Sequence, residues 1–320
     1  MKSRLNIRNT GLDDTRAISQ LFRRPIPRWQ RLDGDGRVQD LDYDQLTLYE
    51  RWLHGGPWMS IETGAIWLNH LMHRGVITLI AEHKQQIIAY LEAYIGQEPR
   101  PYGRHVHIGQ LIAEGDYAEE ARHALVQHLI DWAEDDEEIE RVTVAVSGHD
   151  AEAREFYTTF TMQPLTTIGK FSIPAQTGQG FYKITEQTDD SPEQIHGWHL
   201  LSGHMESSLQ QWEARWPFIW STIPEISAQR IHRLHITASG QTALMLCQQQ
   251  LYDPRSADIF CWSPQPLKSQ LITAISDWAH RENYRNLIFA LPTDMIKPLG
   301  TQVETYPYKQ QILAVEINPS

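Results

Sequence analysis

The sequence predicts an α/β (α+β) chain of two tandem domains, residues 1–175 and 181–320, each a mixed central sheet flanked by helices. Three observations predict it. Apolar residues recur by turns at strand period and at helical period, so strands and helices interleave along the chain. The stretch SIPAQTGQGF, residues 172–181, interrupts this rhythm with proline, glycine and no periodicity, which marks a linker. The order of elements then repeats, down to a shared Asp-Trp-Ala at 131–133 and 277–279 near the end of a helix before an apolar strand. The 320 residues allow two domains of about 150 each.

Residues 4–9 read as a strand and TRAISQLFR as a helix with Asp13 or Asp14 as N-cap, because Ala17, Ile18, Leu21 and Phe22 share one face. RRPIPRWQRLDGDGR reads as an arginine-rich loop, by default solvated, otherwise binding an anion or a partner. Helical segments follow at 43–54 and 61–74. VITLIAEHKQQIIAYLEAYIG is a hairpin turning at 84–86, and RHVHIGQLIAE is a third strand. That strand enters a tight turn and a helix from Tyr117, with Ala121, Ala124, Leu125, His128, Leu129 and Trp132 on its core face. RVTVAVS is a buried strand, and HDAEAREFYTTFTM a helix capped by Asp150. In the second half, 192–212 reads as helical, and RLHITASGQTALMLCQQQLYD as a hairpin turning at Ser239 and Gly240. ADIFCWS, QPLKSQLITAISDWAHREN and NLIFALP follow as strand, helix and strand. The repeat then weakens, since TDMIKPLG carries Pro298 where the first half has a full helix.

A net charge of −12 opposes binding to nucleic acid or anionic membrane and favours a cationic or amine-bearing partner. Seven acids within 131–140 read as a solvated helix end. No stretch approaches the roughly 20 apolar residues of a membrane span, and the N-terminus lacks a signal-like apolar run. A cytoplasmic protein is expected. Cys247 and Cys261 lie in apolar, strand-like contexts and read as buried thiols, and the fifteen histidines show no metal-like clustering.

The order strand, helix, helix, hairpin, strand, helix, strand, helix, strand resembles the GNAT (GCN5-related N-acetyltransferase) superfamily, and its repetition resembles the two-domain members. The most specific match is the family's Asn-x-x-Ala-x-x-hydrophobic-Tyr-x-x-x-Gly-Phe. Here those positions hold Asp150, Ala153, Phe156, Tyr157, Thr161 and Met162, so the Ala, hydrophobic and Tyr positions agree. The resemblance implies acetyl-CoA as co-substrate and a small-molecule or protein amine as acceptor. It makes Tyr157 the candidate acid for the leaving thiolate, a role suited to a phenol whose ordinary pKa is about 10. It makes His107, with His105 beside it, a candidate base. The backbone of Leu111, Ile112 and Ala113 would pair with pantetheine as another strand would. The family's diphosphate signature falls on Tyr117, Glu120 and Arg122 and departs from it at all three. Glu120 replaces a glycine that would let backbone N–H groups approach the anion, and Glu114, Asp116 and Glu119 add like charge. Arg122 and His123 are the candidates to restore positive charge.

Two readings stay open. One is an acetyl-CoA-dependent N-acyltransferase working by direct attack of an amine, which the Tyr157 motif favours. The other is a noncatalytic GNAT-like binding or assembly protein without a phosphate grip, which the acidic turn favours, and in which Tyr157 only packs. The second half lacks both motifs and reads as a scaffold or part of a substrate cleft. Its aromatic run Trp212, Trp216, Phe218 and Trp220 belongs to a core or to a protein partner's surface.

Overall fold

The structure, a computed structural model, describes residues 5–32, 35–178 and 180–317. The chain forms two compact units. The first takes in the chain up to Ala93 with residues 110–132 and 219–226; the second takes in 94–109, 133–218 and the chain from Ser227.

In the first unit the chain runs through β1 (Asn6–Asn9), α1 (Thr15–Arg23), β2 (Trp29–Leu32), β3 (Val38–Leu41), α2 (Leu48–Trp52), α3 (Ile61–His73), β4 (Ile77–His83) and the first part of β5 (Gln86–Glu98). β1 and β5 lie antiparallel on either side of β4. The β4–β5 turn places Lys84 and Gln85 at φ 50° and 66°, the left-handed pair that a two-residue hairpin turn requires, here without glycine. Ile18 and Leu21 of α1 are buried, and Phe22, Trp58 and Tyr90 form an aromatic cluster, with Trp58 5.6 Å from Phe22 and 5.2 Å from Tyr90. Within the arginine-rich stretch, Trp29–Leu32 form β2, which pairs antiparallel with β3. Three of the stretch's arginines are engaged inside the unit: Arg31 pairs with Glu50 at 2.5 Å and Arg24 with Glu114 at 2.8 Å, and Arg23 lies 4.4 Å over the Tyr43 ring, while Arg28 and Arg37 are exposed.

The chain continues through β6 (Gly103–Ala113), α4 (Ala118–Glu134), β7 (Arg141–Ser147), α5 (Ala151–Thr158), β8 (Gln163–Pro174), β9 (Tyr182–Glu186), β10 (His199–Ser202), α6 (Ser208–Arg215), α7 (Pro224–Ser227), β11 (Ile231–Ala238), β12 (Gln241–Gln249), β13 (Ser256–Ser263), α8 (Ser269–Arg281), β14 (Asn286–Pro292) and β15 (Glu304–Glu316). In the second unit the strands follow one another as β6-β7-β15-β8-β14-β13-β12-β11-β9. The β6–β7 and β13–β14 pairs are parallel. β15, the last strand of the second sequence half, lies between β7 and β8 of the first half, and β8 in turn pairs with β14. The two halves thus exchange their last strands and share one ladder. The apolar face of α8, with Leu271 and Ile275, joins the core that includes Ile259 and Phe289. A second core, containing Trp212 and Trp216 of α6, includes Leu244, Phe260 and Trp262.

Several expectations change here. The 192–212 region is not one helix: a 3-10 turn covers Pro192–Ile195, β10 pairs with β13, and α6 begins only at Ser208. Gly197 and Gly203, at φ 71° and 118°, punctuate it. β8 runs to Pro174, into the stretch read as linker, and the next residues dock on α8 through Gln176 N–H to Ser276 Oγ (3.0 Å) and Gly178 N–H to Asp277 Oδ1 (2.9 Å). On α4, His128 and Trp132 are exposed while Val126 and Ile130 are buried, so the core face is rotated from the one expected. The shared Asp-Trp-Ala therefore sits in different surroundings: Trp132 is 38% exposed and Trp278 only 9%. Trp212 and Trp216 stack at 4.4 Å as core, and Trp220 packs on Trp52 and Trp67 in the first unit.

Candidate active site

Strand alternation puts His105 and His107 on one face of β6, and both are buried. The parallel register sets Thr143 of β7 opposite His107. His107 Nδ1 lies 2.9 Å from Thr143 Oγ1, and its Nε2 lies 3.3 Å from Glu206 Oε2. Glu206 stands just before α6, whose N-cap Ser207 accepts the Gln210 N–H. Its side chain remains 31% exposed, so a solvent-reachable carboxylate is backed by a buried imidazole.

Behind them lies a second polar group. His105 Nδ1 contacts the Gly103 carbonyl at 3.1 Å, and its Nε2 is 3.7 Å from Glu98, which accepts the Ser208 N–H at 3.0 Å. Burial pushes Glu98 up to about 7 and His105 down to about 4. Gly96 makes the room, because a Cβ there would come within 2.9 Å of the His105 ring. Tyr102 stacks on His204 at 5.7 Å. Among the described residues the Tyr102 hydroxyl, His204 Nδ1 and Ser208 Oγ are buried without a hydrogen-bond partner.

Glu206 also faces a half-open cleft of about 450 Å³ in the second unit, together with Lys170, Arg215, Asp258, Phe260 and Tyr308. Arg215 donates to the side-chain oxygens of Gln211 (2.9 Å) and Gln248 (3.2 Å) and lies 4.3 Å over the Phe260 ring.

The two parallel strand pairs end differently. β13 and β14 pair as far as Ile259 and Phe289. Past that point β10 pairs with β13 from His199↔Ser263 to Ser202↔Cys261. Gly203 and His204 donate to the Ala290 carbonyl at 2.7 and 3.2 Å, and Ser202 Oγ bridges the Ile259 carbonyl and the Ala290 N–H. The chain's own strand therefore occupies that opening. β6 and β7 pair as far as Ile108 and Val144, and β6 continues to Ala113. At Gly109 the Gln210 amide packs so closely that a Cβ would lie 2.7 Å from its nitrogen. Gln210 Oε1 is buried with no hydrogen-bond partner among the described residues.

Of the residues singled out from sequence, His107 and Tyr157 lie in the second unit, and Leu111, Ile112, Ala113, Arg122 and His123 in the first. Tyr157 is buried on α5, edge-on to Phe156 at 5.0 Å. Leu111, Ile112 and Ala113 are half-buried at the end of β6, Arg122 pairs with Glu119 at 2.6 Å, and His123 is exposed. Glu206 escaped sequence reasoning because it sits 99 positions from His107 in a stretch read as helix. The Ser207-x-x-Gln210 cap signature was the available signal, since it starts the helix after Glu206.

Residues 38–161 match the model of the acetyltransferase (GNAT) family. That match lies within the first half of the chain. No curated protein matches the sequence. Among solved structures, a GCN5-related N-acetyltransferase from Anabaena variabilis aligns over 98% of this chain and 73% of its own, with TM-score 0.60 and 11% identity. A second, from Kribbella flavida, aligns over 98% and 72%, with TM-score 0.59 and 9% identity. A tandem GNAT protein from the clavulanic acid biosynthesis pathway aligns over 99% and 100%, with TM-score 0.50 and 12% identity. At such identities the likeness is one of fold, and the fold is a tandem GNAT fold.

Proposed function

We propose that the chain is an acetyl-CoA-dependent N-acyltransferase built of two GNAT repeats, 1–175 and 181–320, with the first repeat as the catalytic one and the second completing the substrate cleft, to which it contributes Glu206. The observation that carries this reading is the solvent-reachable Glu206 carboxylate hydrogen-bonded to buried His107, a base poised beside a cleft. Occupation of the β13–β14 opening by β10 supports leaving the second repeat without a cofactor. At Gly109 of the first repeat, the Gln210 side-chain oxygen, contributed by the second repeat and without a partner among the described residues, fits an amide donor such as those of pantetheine. The start of α4 fits a diphosphate poorly, because Glu119 already engages Arg122 and Glu120 stands in the first turn. Leu111, Ile112 and Ala113, with Arg122 and His123, are the proposed cofactor contacts.

In the reaction the acceptor nitrogen attacks the thioester carbonyl, the N–C bond forms and the C–S bond breaks. The proton shed by nitrogen passes to Glu206, with His107 holding that carboxylate in place, and Tyr157 protonates the leaving thiolate. The Glu119–Arg122 pair favours the noncatalytic alternative, and one experiment separates the two. Acetyl-CoA at 100 times its Kd stabilises the fold by about 2.7 kcal/mol, seen as a rise in Tm. Glu120→Gln should strengthen binding by removing a like charge, Arg122→Ala should weaken it, and Glu206→Gln should lower turnover by about 10²–10⁴-fold. No Tm shift with acetyl-CoA, and none gained in Glu120→Gln, would leave the noncatalytic reading.

A further inference from the structure

The cleft bounded by Glu206 contains more charge than an acceptor amine requires. Arg215 is half-buried, held by two glutamine amides and a phenyl face, and forms no ion pair among the described residues. Lys170, on the same wall, also has no carboxylate partner among the described residues and lies 5.9 Å over the Tyr308 ring. Facing them are two carboxylates. Among the described residues Glu206 is bonded only to His107, and Asp258 only to the Gln250 amide, at 3.3–3.4 Å. Arg215 feels the field of both acids, and Asp258 that of both cations, so the four face one another without pairing. A guanidinium withdrawn from water gains most from a carboxylate, which it can bind through two parallel N–H groups.

We propose that this cleft binds an amino-carboxylate, a molecule carrying both an ammonium and a carboxylate group. The carboxylate lies on Arg215 and Lys170, and the ammonium between Glu206 and Asp258. The Phe260 and Tyr308 rings take the apolar part of the ligand. That the bound amine is the acyl acceptor rests on the acyltransfer reading above; that the cleft binds it does not.

The test is calorimetric titration of the full chain, without acetyl-CoA, with three matched probes: L-phenylalanine, phenethylamine, which lacks the carboxylate, and 3-phenylpropanoate, which lacks the amine. The other standard L-amino acids are titrated in turn to allow for side-chain preference. The amino acid should bind at least about tenfold more tightly than either half-ligand. Arg215→Gln should weaken the amino acid and the propanoate and leave phenethylamine unchanged. Asp258→Asn should weaken the amino acid and phenethylamine and leave the propanoate unchanged, and retained binding of the insensitive probe shows that each variant is folded. Equal affinity for all three probes, equal losses in both variants, or no binding by any amino acid overturns the proposal. Amino-acid binding without acetyl transfer would sink the enzyme reading and leave the cleft assignment standing.

Discussion

Glu98 and His105 approach to 3.7 Å, but burial drives each toward its neutral form, Glu98 up to about 7 and His105 down to about 4, so between those values the contact is uncharged. The pH dependence follows from the two directions. Glu98 rises from 4.5 to about 7 on folding, so its contribution is full below pH 4.5 and is lost as pH climbs through 7. His105 falls from 6.5 to about 4, so its contribution is full above pH 6.5 and is lost as pH drops through 4. Glu98→Gln keeps an acceptor for the Ser208 N–H and removes the first loss. It should match the wild type below pH 4.5 and exceed it at alkaline pH by roughly 3 kcal/mol. Urea denaturation across that range measures this; a variant weaker at every pH would mean that Glu98 is held for its charge.

At the scale of an element, β10 is the unusual piece. It seats itself against β13 and reaches Ala290 on β14, and that depends on the sharp bend at Gly203. Gly203 has φ 118°, and a Cβ there would meet the Phe260 ring at 2.8 Å. Gly203→Ala should therefore cost about 1–3 kcal/mol through strain and overpacking. Gly197, at φ 71° with open space around it, supplies the comparison, since alanine there adds backbone strain without a clash. Equal losses in the two variants, measured by denaturant unfolding, would show that β10 is loosely held.

For the whole molecule the decisive feature is the exchange of last strands. β15 is hydrogen-bonded to β7 and β8, and β8 to β14, so either half made alone leaves unpaired edges where the other should lie. Fragments 1–175 and 181–320 should each fail to unfold cooperatively and should recover a native-like transition when coexpressed. A cooperative melt of 1–175 by itself, followed by circular dichroism, would contradict this. The same exchange explains why a repeated element order produced one ladder in the second unit.

Local pattern carried the elements whose identity is a matter of period and capping. The β4–β5 and β11–β12 hairpins turn where expected, Asp150 caps α5 through the Ala153 N–H at 2.9 Å, and both cysteines are buried. The tandem GNAT fold was legible from element order because that order follows the chain. The arginine-rich stretch is largely exposed, as its default reading had it; β2 and the pairs of Arg31 with Glu50 and Arg24 with Glu114 were not legible, because those partners are distant in sequence. The 192–212 stretch misled because pairing with β13 outweighs local helical preference once a strand opening is there to fill. Glu206, Arg215 and Asp258 carry no signal of their own in the sequence. Only the tertiary structure gathers them, because α6 and β13 meet over one sheet face, and the chemistry of a cleft depends on which side chains share it and not on their order along the chain.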